Sequence, residues 1–134
     1  MGELLRTEND GSVSFGDYTL SEKKKVEDFP HAGDLLKVKT YCDITKLEKN
    51  GMFVYESVPG TTVKNFKENE GGVEFTVSGD KETQITLGLA DDTVYEIEVD
   101  GESTGAVQTG LGGKLSVSVS LAAGKEVSVK VVKA

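Results

Sequence analysis

Residues 115–121 read Leu115-Ser116-Val117-Ser118-Val119-Ser120-Leu121, an unbroken alternation of apolar and small polar side chains. Such alternation points one set of side chains into a core and the other set towards water, as in a half-buried β-strand. Four other segments of the second half follow the same pattern, at 73–78, 85–89, 95–99 and 127–131. Five alternating segments in less than half of the chain predict an antiparallel sandwich or barrel.

Turn signals separate these segments and continue into the first half of the chain. The dipeptides Asp10-Gly11, Asn50-Gly51 and Asp100-Gly101 are favoured in two-residue hairpin loops, because both central residues of such a loop need a positive φ. Consecutive strands joined by hairpins are therefore expected throughout the chain.

The first half alternates less regularly than the second. Its pattern predicts short strands at 13–15 and 18–20 and a longer strand at 35–41. Residues 52–55 are apolar on both faces, which predicts a segment between two layers. Ile44 and Leu47 are three residues apart, so residues 44–47 form either a single helical turn or another strand.

These patterns predict an all-β fold built as an antiparallel β-sandwich, with residues 1–134 in a single domain. One alternative stays open, in which two small sandwiches pack end to end. Its halves would be an irregular β subdomain at 1–69 and a regular β-sandwich at 70–134. In either case we expect one shared core that contains Phe75, Ile97, Val117, Val119 and Val129.

The charge of the chain restricts its partners. Its 134 residues include 23 acidic and 15 basic side chains, for a formal net charge of −8. Such a surface repels phosphate backbones and anionic lipids, so neither nucleic acid nor a membrane is an expected partner.

The N-terminus indicates where the chain resides. Residues 1–6 have no apolar segment behind a basic start, and no apolar run approaches the ~20 residues that cross a bilayer. The single cysteine, Cys42, suits a reducing compartment. We therefore expect a cytoplasmic protein by default, and removal of a leader stays open.

Candidates for catalysis centre on the only histidine, His31. A Ser-His-Asp triad or a pairing with Cys42 would need it as the base, but no Gly-x-Ser-x-Gly motif is present. The flanking Pro30 and Gly33 predict an exposed turn for His31, and Cys42 is expected to be a small strand or core residue. No catalytic residue is therefore predicted.

Metal and phosphate sites receive little support from the sequence. One histidine and one cysteine cannot supply the four ligands of a structural zinc site. Residues 6–17 resemble a calcium loop only weakly, because Arg6 occupies the first ligand position, and Asp91-Asp92 is expected to be a solvated turn. Residues 110–114 miss the phosphate-loop spacing and predict a glycine-rich hairpin. We expect no metal and no cofactor.

Tyrosines are the only side chains that suit a sugar-stacking surface, because the chain has no tryptophan. Tyr18 is available for this role, whereas Tyr41, Tyr55 and Tyr95 are expected in the core. The sequence identifies no ligand-binding residue.

Two parts of the sequence resemble known families. Residues 93–131 contain Val94-Tyr95-Glu96-Ile97-Glu98-Val99-Asp100-Gly101, then Gly105, Thr109, Gly113-Lys114-Leu115 and the 116–121 strand. They resemble β-sandwich accessory domains of polysaccharide lyases and glycoside hydrolases, which implies a non-catalytic role.

The second resemblance rests on Gly16-Asp17-Tyr18 and on the run Ile44-Thr45-Lys46-Leu47-Glu48-Lys49-Asn50-Gly51-Met52-Phe53-Val54-Tyr55-Glu56-Ser57-Val58-Pro59-Gly60-Thr61. These residues resemble small proteins of anaerobic gut bacteria labelled endosialidase, which implies cleavage of sialic acid polymers. Sialidases bind the sialic acid carboxylate with three arginines, and this chain has only Arg6. No catalytic residue of that family can be placed on this sequence.

The sequence therefore favours a non-catalytic β-sandwich module with a binding or assembly role, whose partner is another protein or a second copy of the chain. The alternative is a carbohydrate-active enzyme acting on sialic acid polymers. Its acidic residues would include a pair such as Asp91 and Asp92.

Overall fold

A computed structural model describes residues 4–134 and confirms the all-β prediction. Within these residues there is no helix, and hence none that could cross a membrane. Thirteen strands are formed: β1 (Leu5–Thr7), β2 (Val13–Phe15), β3 (Lys24–His31), β4 (Asp34–Thr40), β5 (Thr45–Lys49), β6 (Met52–Val58), β7 (Thr62–Asn69), β8 (Gly72–Ser78), β9 (Thr83–Gly88), β10 (Val94–Val99), β11 (Glu102–Gln108), β12 (Lys114–Val119) and β13 (Glu126–Lys133).

The strands form two antiparallel sheets. The seven-stranded sheet has the order β1-β2-β7-β8-β13-β10-β11, and the six-stranded sheet has the order β12-β9-β6-β5-β4-β3. Each sheet contains strands from both 1–69 and 70–134, and β7 and β8 on either side of that boundary are hydrogen-bonded neighbours. Strand pairing therefore runs continuously across the boundary between the two halves.

An aromatic cluster joins the two sheets. Tyr55 of β6 contacts Phe15, Phe66 and Phe75 of the seven-stranded sheet, with ring centroids 5.2, 6.1 and 5.6 Å away and edge-on geometry in each case. Such edge-to-face pairs add about 0.5–1.5 kcal/mol each to the area that they bury. The predicted core residues Phe75, Ile97, Val119 and Val129 are buried, whereas Val117 is only half-buried on the edge strand β12.

A chain of buried hydroxyl groups lies beside the aromatic cluster. The Thr45 hydroxyl lies 2.8 Å from that of Thr40, donates to the Thr61 carbonyl at 2.8 Å and accepts from the Thr61 N–H at 3.0 Å. The Thr61 hydroxyl in turn lies 2.8 Å from the hydroxyls of Tyr55 and Ser57. Burial raises the pKa of Tyr55 far above its ordinary value, so this hydroxyl stays protonated.

Bulges explain why the first half alternates poorly. Between β5 and β6, Leu47 opposes Tyr55 and Glu48 opposes Phe53, so Val54 is an extra residue in β6. Val54 and Tyr55 are therefore both buried although they are neighbours, while Met52 is exposed. The prediction that residues 52–55 lie between two layers is wrong for this reason. Similar extra residues occur in β3 and β7, where Asp28 and Asn65 have positive φ.

Two other predictions for the first half are decided by the structure. Residues 44–47 contribute to strand β5 and not to a helical turn. Residues 18–20 are a turn and not a strand, because Asp17 accepts hydrogen bonds from the backbone N–H and the hydroxyl of Thr19. The strands β1, β3, β7 and β11 were not predicted.

The inward and outward positions of β12 can be tested with one pair of variants. Val119 is buried and Ser118 beside it is exposed. Val119→Asp should abolish the folded state, because it places an unpaired carboxylate in the apolar core. Ser118→Asp, its matched control, should unfold at nearly the same denaturant concentration as the parent. Circular dichroism during urea denaturation measures both, and equal damage from the two variants would contradict the observed register.

Candidate interaction surface

The β10–β11 hairpin forms one edge of the seven-stranded sheet. Asp100 and Gly101 close it with φ of 51° and 82°, as two-residue hairpin loops require, and Asp100 Oδ1 accepts from the Ser128 N–H at 3.0 Å. This turn confirms the sequence prediction for Asp100-Gly101. Strand β11 pairs with β10 on one side and with no strand of residues 4–134 on the other.

All seven residues of β11 are exposed, on both faces of the sheet. Val107 opposes Tyr95 in the pairing of the two strands, so the two side chains share the inner face. Tyr95 is 2% exposed and Val107 is 41% exposed. The core therefore ends between β10 and β11, and the inner face of β11 lies beyond the cover of the opposite sheet.

Residues 103–113, from β11 through the following loop, include no charged side chain, although 28% of the residues of the chain are charged. We refer to them as the uncharged edge. The edges at the opposite side of the sandwich differ: β1 has three residues, and β3 combines lysines and acidic residues with Pro30 and a bulge. Natural sheets use these devices to prevent edge-to-edge pairing. From Gly105 to Gln108 the uncharged edge has none of them.

The free backbone groups of β11 can be located from the hydrogen-bond alternation. The Thr109 N–H donates to the Thr93 carbonyl at 2.9 Å, so this opposed pair is a hydrogen-bonded one. Because hydrogen-bonded and non-hydrogen-bonded pairs alternate in an antiparallel ladder, the backbone N–H and C=O of Ala106 and Gln108 point away from β10. The extra residue Thr104 interrupts the ladder on the other side of Gly105.

The loop that follows β11 is firmly held. Thr109 is buried, and its hydroxyl donates to the Ala90 carbonyl at 2.6 Å and accepts from the Thr93 N–H at 3.0 Å. Gly113 has a φ of 68°, and a Cβ there would lie 1.9 Å from the Leu89 carbonyl oxygen. The loop thereby presents Leu111, 89% exposed, to solvent.

Residues 110–114 connect one sheet to the other, because β11 and β12 belong to different sheets. The expectation of a glycine-rich hairpin at this position is therefore wrong. Lys114 begins β12 with its Nζ 5.2 Å from the centre of the Phe53 ring, a cation–π geometry.

The structure separates the residues considered for nucleophilic catalysis. His31 is the last residue of β3, half-buried, with Nδ1 3.0 Å from the Thr7 hydroxyl. The prediction of an exposed turn is wrong for His31, since the turn consists of Ala32 and Gly33. Cys42 follows the far end of the same hairpin, where Thr40 pairs with Lys24. A strand length of roughly 20 Å therefore lies between them.

The acidic residues considered for metal binding or catalysis either accept local hydrogen bonds or are exposed to solvent. Asp10 accepts from the N–H and hydroxyl of Ser12, within the turn between β1 and β2, where a calcium loop was weakly indicated. Asp91 and Asp92 are exposed in a turn, as expected. Arg6 pairs with Glu8 at 3.1 Å. Among residues 4–134 there is no group of three or more His, Cys, Asp or Glu that could hold a metal ion.

The tyrosines divide between the core and the surface. Tyr55 and Tyr95 are buried, as expected, whereas Tyr41 is only half-buried and the expectation for it is wrong. Partial desolvation, with Asp43 nearby, raises the pKa of Tyr41. Tyr18 is half-buried in the turn after Asp17.

A groove of about 490 Å³ opens between the two sheets at the end where β3 meets β4. Its floor is apolar and consists of Val13, Leu36, Leu47, Val54 and Phe66. Four charged residues of its rim form two ion pairs, with Lys67 Nζ 3.1 Å from Asp10 and Lys49 Nζ 3.2 Å from Glu68, while Asp34 accepts a hydrogen bond from the Asn50 side chain at 2.8 Å. Both lysines of the rim are therefore already neutralised by carboxylates.

Comparisons with protein-family models, with curated proteins and with solved structures gave no match to this chain. Both family resemblances stay predictions, and function has to be inferred from the chemistry of the chain itself.

Asp10 at the rim of the groove gives a pH prediction. Hydrogen bonds from the Ser12 hydroxyl and N–H, together with Lys67, lower its pKa from 3.8 to about 2. A carboxyl group whose pKa is lower in the folded state stabilises that state above its ordinary pKa, and this stabilisation is lost as the pH falls towards 2.

Asp10→Asn should therefore lower the urea midpoint at pH 5, and the difference from the parent should shrink between pH 4 and pH 2. Asp80→Asn, in the exposed connection between β8 and β9, is the matched control and should leave the midpoint unchanged. A difference for Asp10→Asn that is the same at pH 5 and pH 2.5 would refute the assignment.

Proposed function

We propose that this chain is a non-catalytic β-sandwich module with an assembly role, and that its uncharged edge binds the strand of a partner. One observation carries the proposal: β11 is an edge strand that is exposed on both faces and has no charged side chain from Ser103 to its end at Gln108. A strand added to an exposed sheet edge gains its affinity from main-chain hydrogen bonds. Ala106 and Gln108 offer the N–H and C=O groups that such a strand needs.

The chemistry of the remaining residues supports a binding role over a catalytic one. His31 and Cys42 lie at opposite ends of a hairpin, and both lysines of the groove rim are paired with carboxylates. A retaining or inverting glycosidase needs two carboxyl groups held across a scissile bond, one of them with a raised pKa. Within residues 4–134, the two carboxyl groups with clear shifts are those of Glu8 and Asp10, and both have lowered pKa values.

The test begins with an isotope-labelled sample of the full chain and a blocked peptide of the sequence Ser-Thr-Gly-Ala-Val-Gln-Thr, which copies residues 103–109. The peptide should shift the amide resonances of Ala106 and Gln108. It should leave those of Gln84 in place, because β9 is paired on both sides. Shifts confined to the groove residues, or none at all, would contradict binding at the edge.

Incubation of concentrated protein with polysialic acid tests the competing enzyme hypothesis. We expect no release of sialyl oligomers. Release that Asp91→Asn or Asp92→Asn abolishes, and that Asp80→Asn leaves intact, would overturn the non-catalytic proposal in favour of the enzyme.

A further inference from the structure

We infer that the partner at the uncharged edge is a second copy of this chain, paired antiparallel through β11 about a twofold axis at Val107. This inference rests on the proposed assembly role and names its partner. Its evidence is the charge, the backbone geometry and the exposed apolar side chains of the edge.

The charge of the chain favours this edge for self-association. Two copies, each with a formal net charge of −8, repel each other in most relative orientations. Contact through the uncharged edge brings no like charges together, because residues 103–113 include no charged side chain.

The backbone of the edge is self-complementary. The outward-pointing groups belong to Ala106 and Gln108, which are two residues apart with Val107 between them. A twofold axis at Val107 therefore pairs Ala106 of each copy with Gln108 of the other. Each of these two pairs forms two N–H to C=O hydrogen bonds, so four hydrogen bonds join the two copies.

The side chains fit the same register. Val107 and its equivalent in the second copy form a non-hydrogen-bonded pair, in which opposed side chains approach most closely. This pairing covers a valine that β10 and the opposite sheet leave 41% exposed. The bulge at Thr104 limits regular pairing to the segment from Gly105 onwards, which is centred near Val107.

A disulfide tests the register directly. In a Cys42→Ser background, which leaves one thiol in the chain, Val107→Cys places two thiols across the axis, with Cα atoms about 4.5 Å apart, within the range a disulfide spans. Gln108→Cys is the matched control. In the proposed register, position 108 of one copy opposes position 106 of the other, so the two Cα atoms at position 108 lie about 9 Å apart, too far for a disulfide. Under mild oxidation, Val107→Cys should give a covalent species of twice the 14.3 kDa chain mass, at least about tenfold faster than Gln108→Cys.

Sedimentation of the full chain tests the association itself. The parent should reach a dimer as its concentration rises, and Gln108→Lys should raise the dissociation constant at least about tenfold, because edge lysines oppose strand pairing. Gln84→Lys makes the same change of charge on the exposed face of β9, which is paired on both sides, and should leave the dissociation constant unchanged.

Three outcomes would overturn the inference: a monomer at every concentration, a dimer that Gln108→Lys leaves intact, or equal cross-linking of the two cysteine variants. If the chain stays monomeric while the peptide shifts Ala106 and Gln108, the assembly role stands and the partner is a different protein. Cleavage of polysialic acid would instead defeat the proposed function.

Discussion

The two hydrogen bonds between Thr45 and Thr61 fix the point where the chain leaves the six-stranded sheet for the other one. Thr61 lies between β6 and β7, which belong to different sheets, and Thr45 belongs to β5. The hydroxyls of Tyr55 and Ser57 also lie within hydrogen-bond distance of the Thr61 hydroxyl. The connection between the sheets is therefore held against β6, the strand that carries the central aromatic ring. A buried polar chain tolerates little change, since any unpaired member carries its full desolvation cost. Both the sheet order and the aromatic packing therefore depend on it.

The second half of the fold could be predicted from sequence because its strands alternate strictly and its turn residues suit their φ values, as at Asp100-Gly101. In the first half the predicted strands at 13–15 and 35–41 correspond to β2 and β4, but most of the other strands could not be predicted, and the reason is physical. Val54, Asp28 and Asn65 occupy bulges, each of which adds one residue to a strand and reverses the direction of every later side chain. A period-two pattern has no means of showing where such an insertion lies.

The interaction surface illustrates a different limit. Strand β11 alternates poorly because neither of its faces is buried, so the pattern that reveals a strand is absent where the strand is most accessible. Its signal in the sequence is compositional: eleven consecutive residues without charge in a strongly acidic chain. That signal does not single out the surface, because residues 115–124 are also uncharged, and the position of β11 at an edge follows only from the pairing of β10 with β13.

The unequal edges of the seven-stranded sheet also decide how far an assembly could grow. Head-to-tail contacts between unlike surfaces build open filaments, whereas contacts between like surfaces close on themselves. At the far edge of this sheet β1 has only three residues, and its neighbour across the sandwich, β3, carries charges and a proline. Joining two copies through β11 uses the long uncharged edge of the seven-stranded sheet in each copy. The result is a fourteen-strand sheet, twice the original seven, that ends in the short strand β1 on both sides. The joined sheet therefore has no second long edge through which a third copy could add, so growth of the seven-stranded sheet stops at two copies.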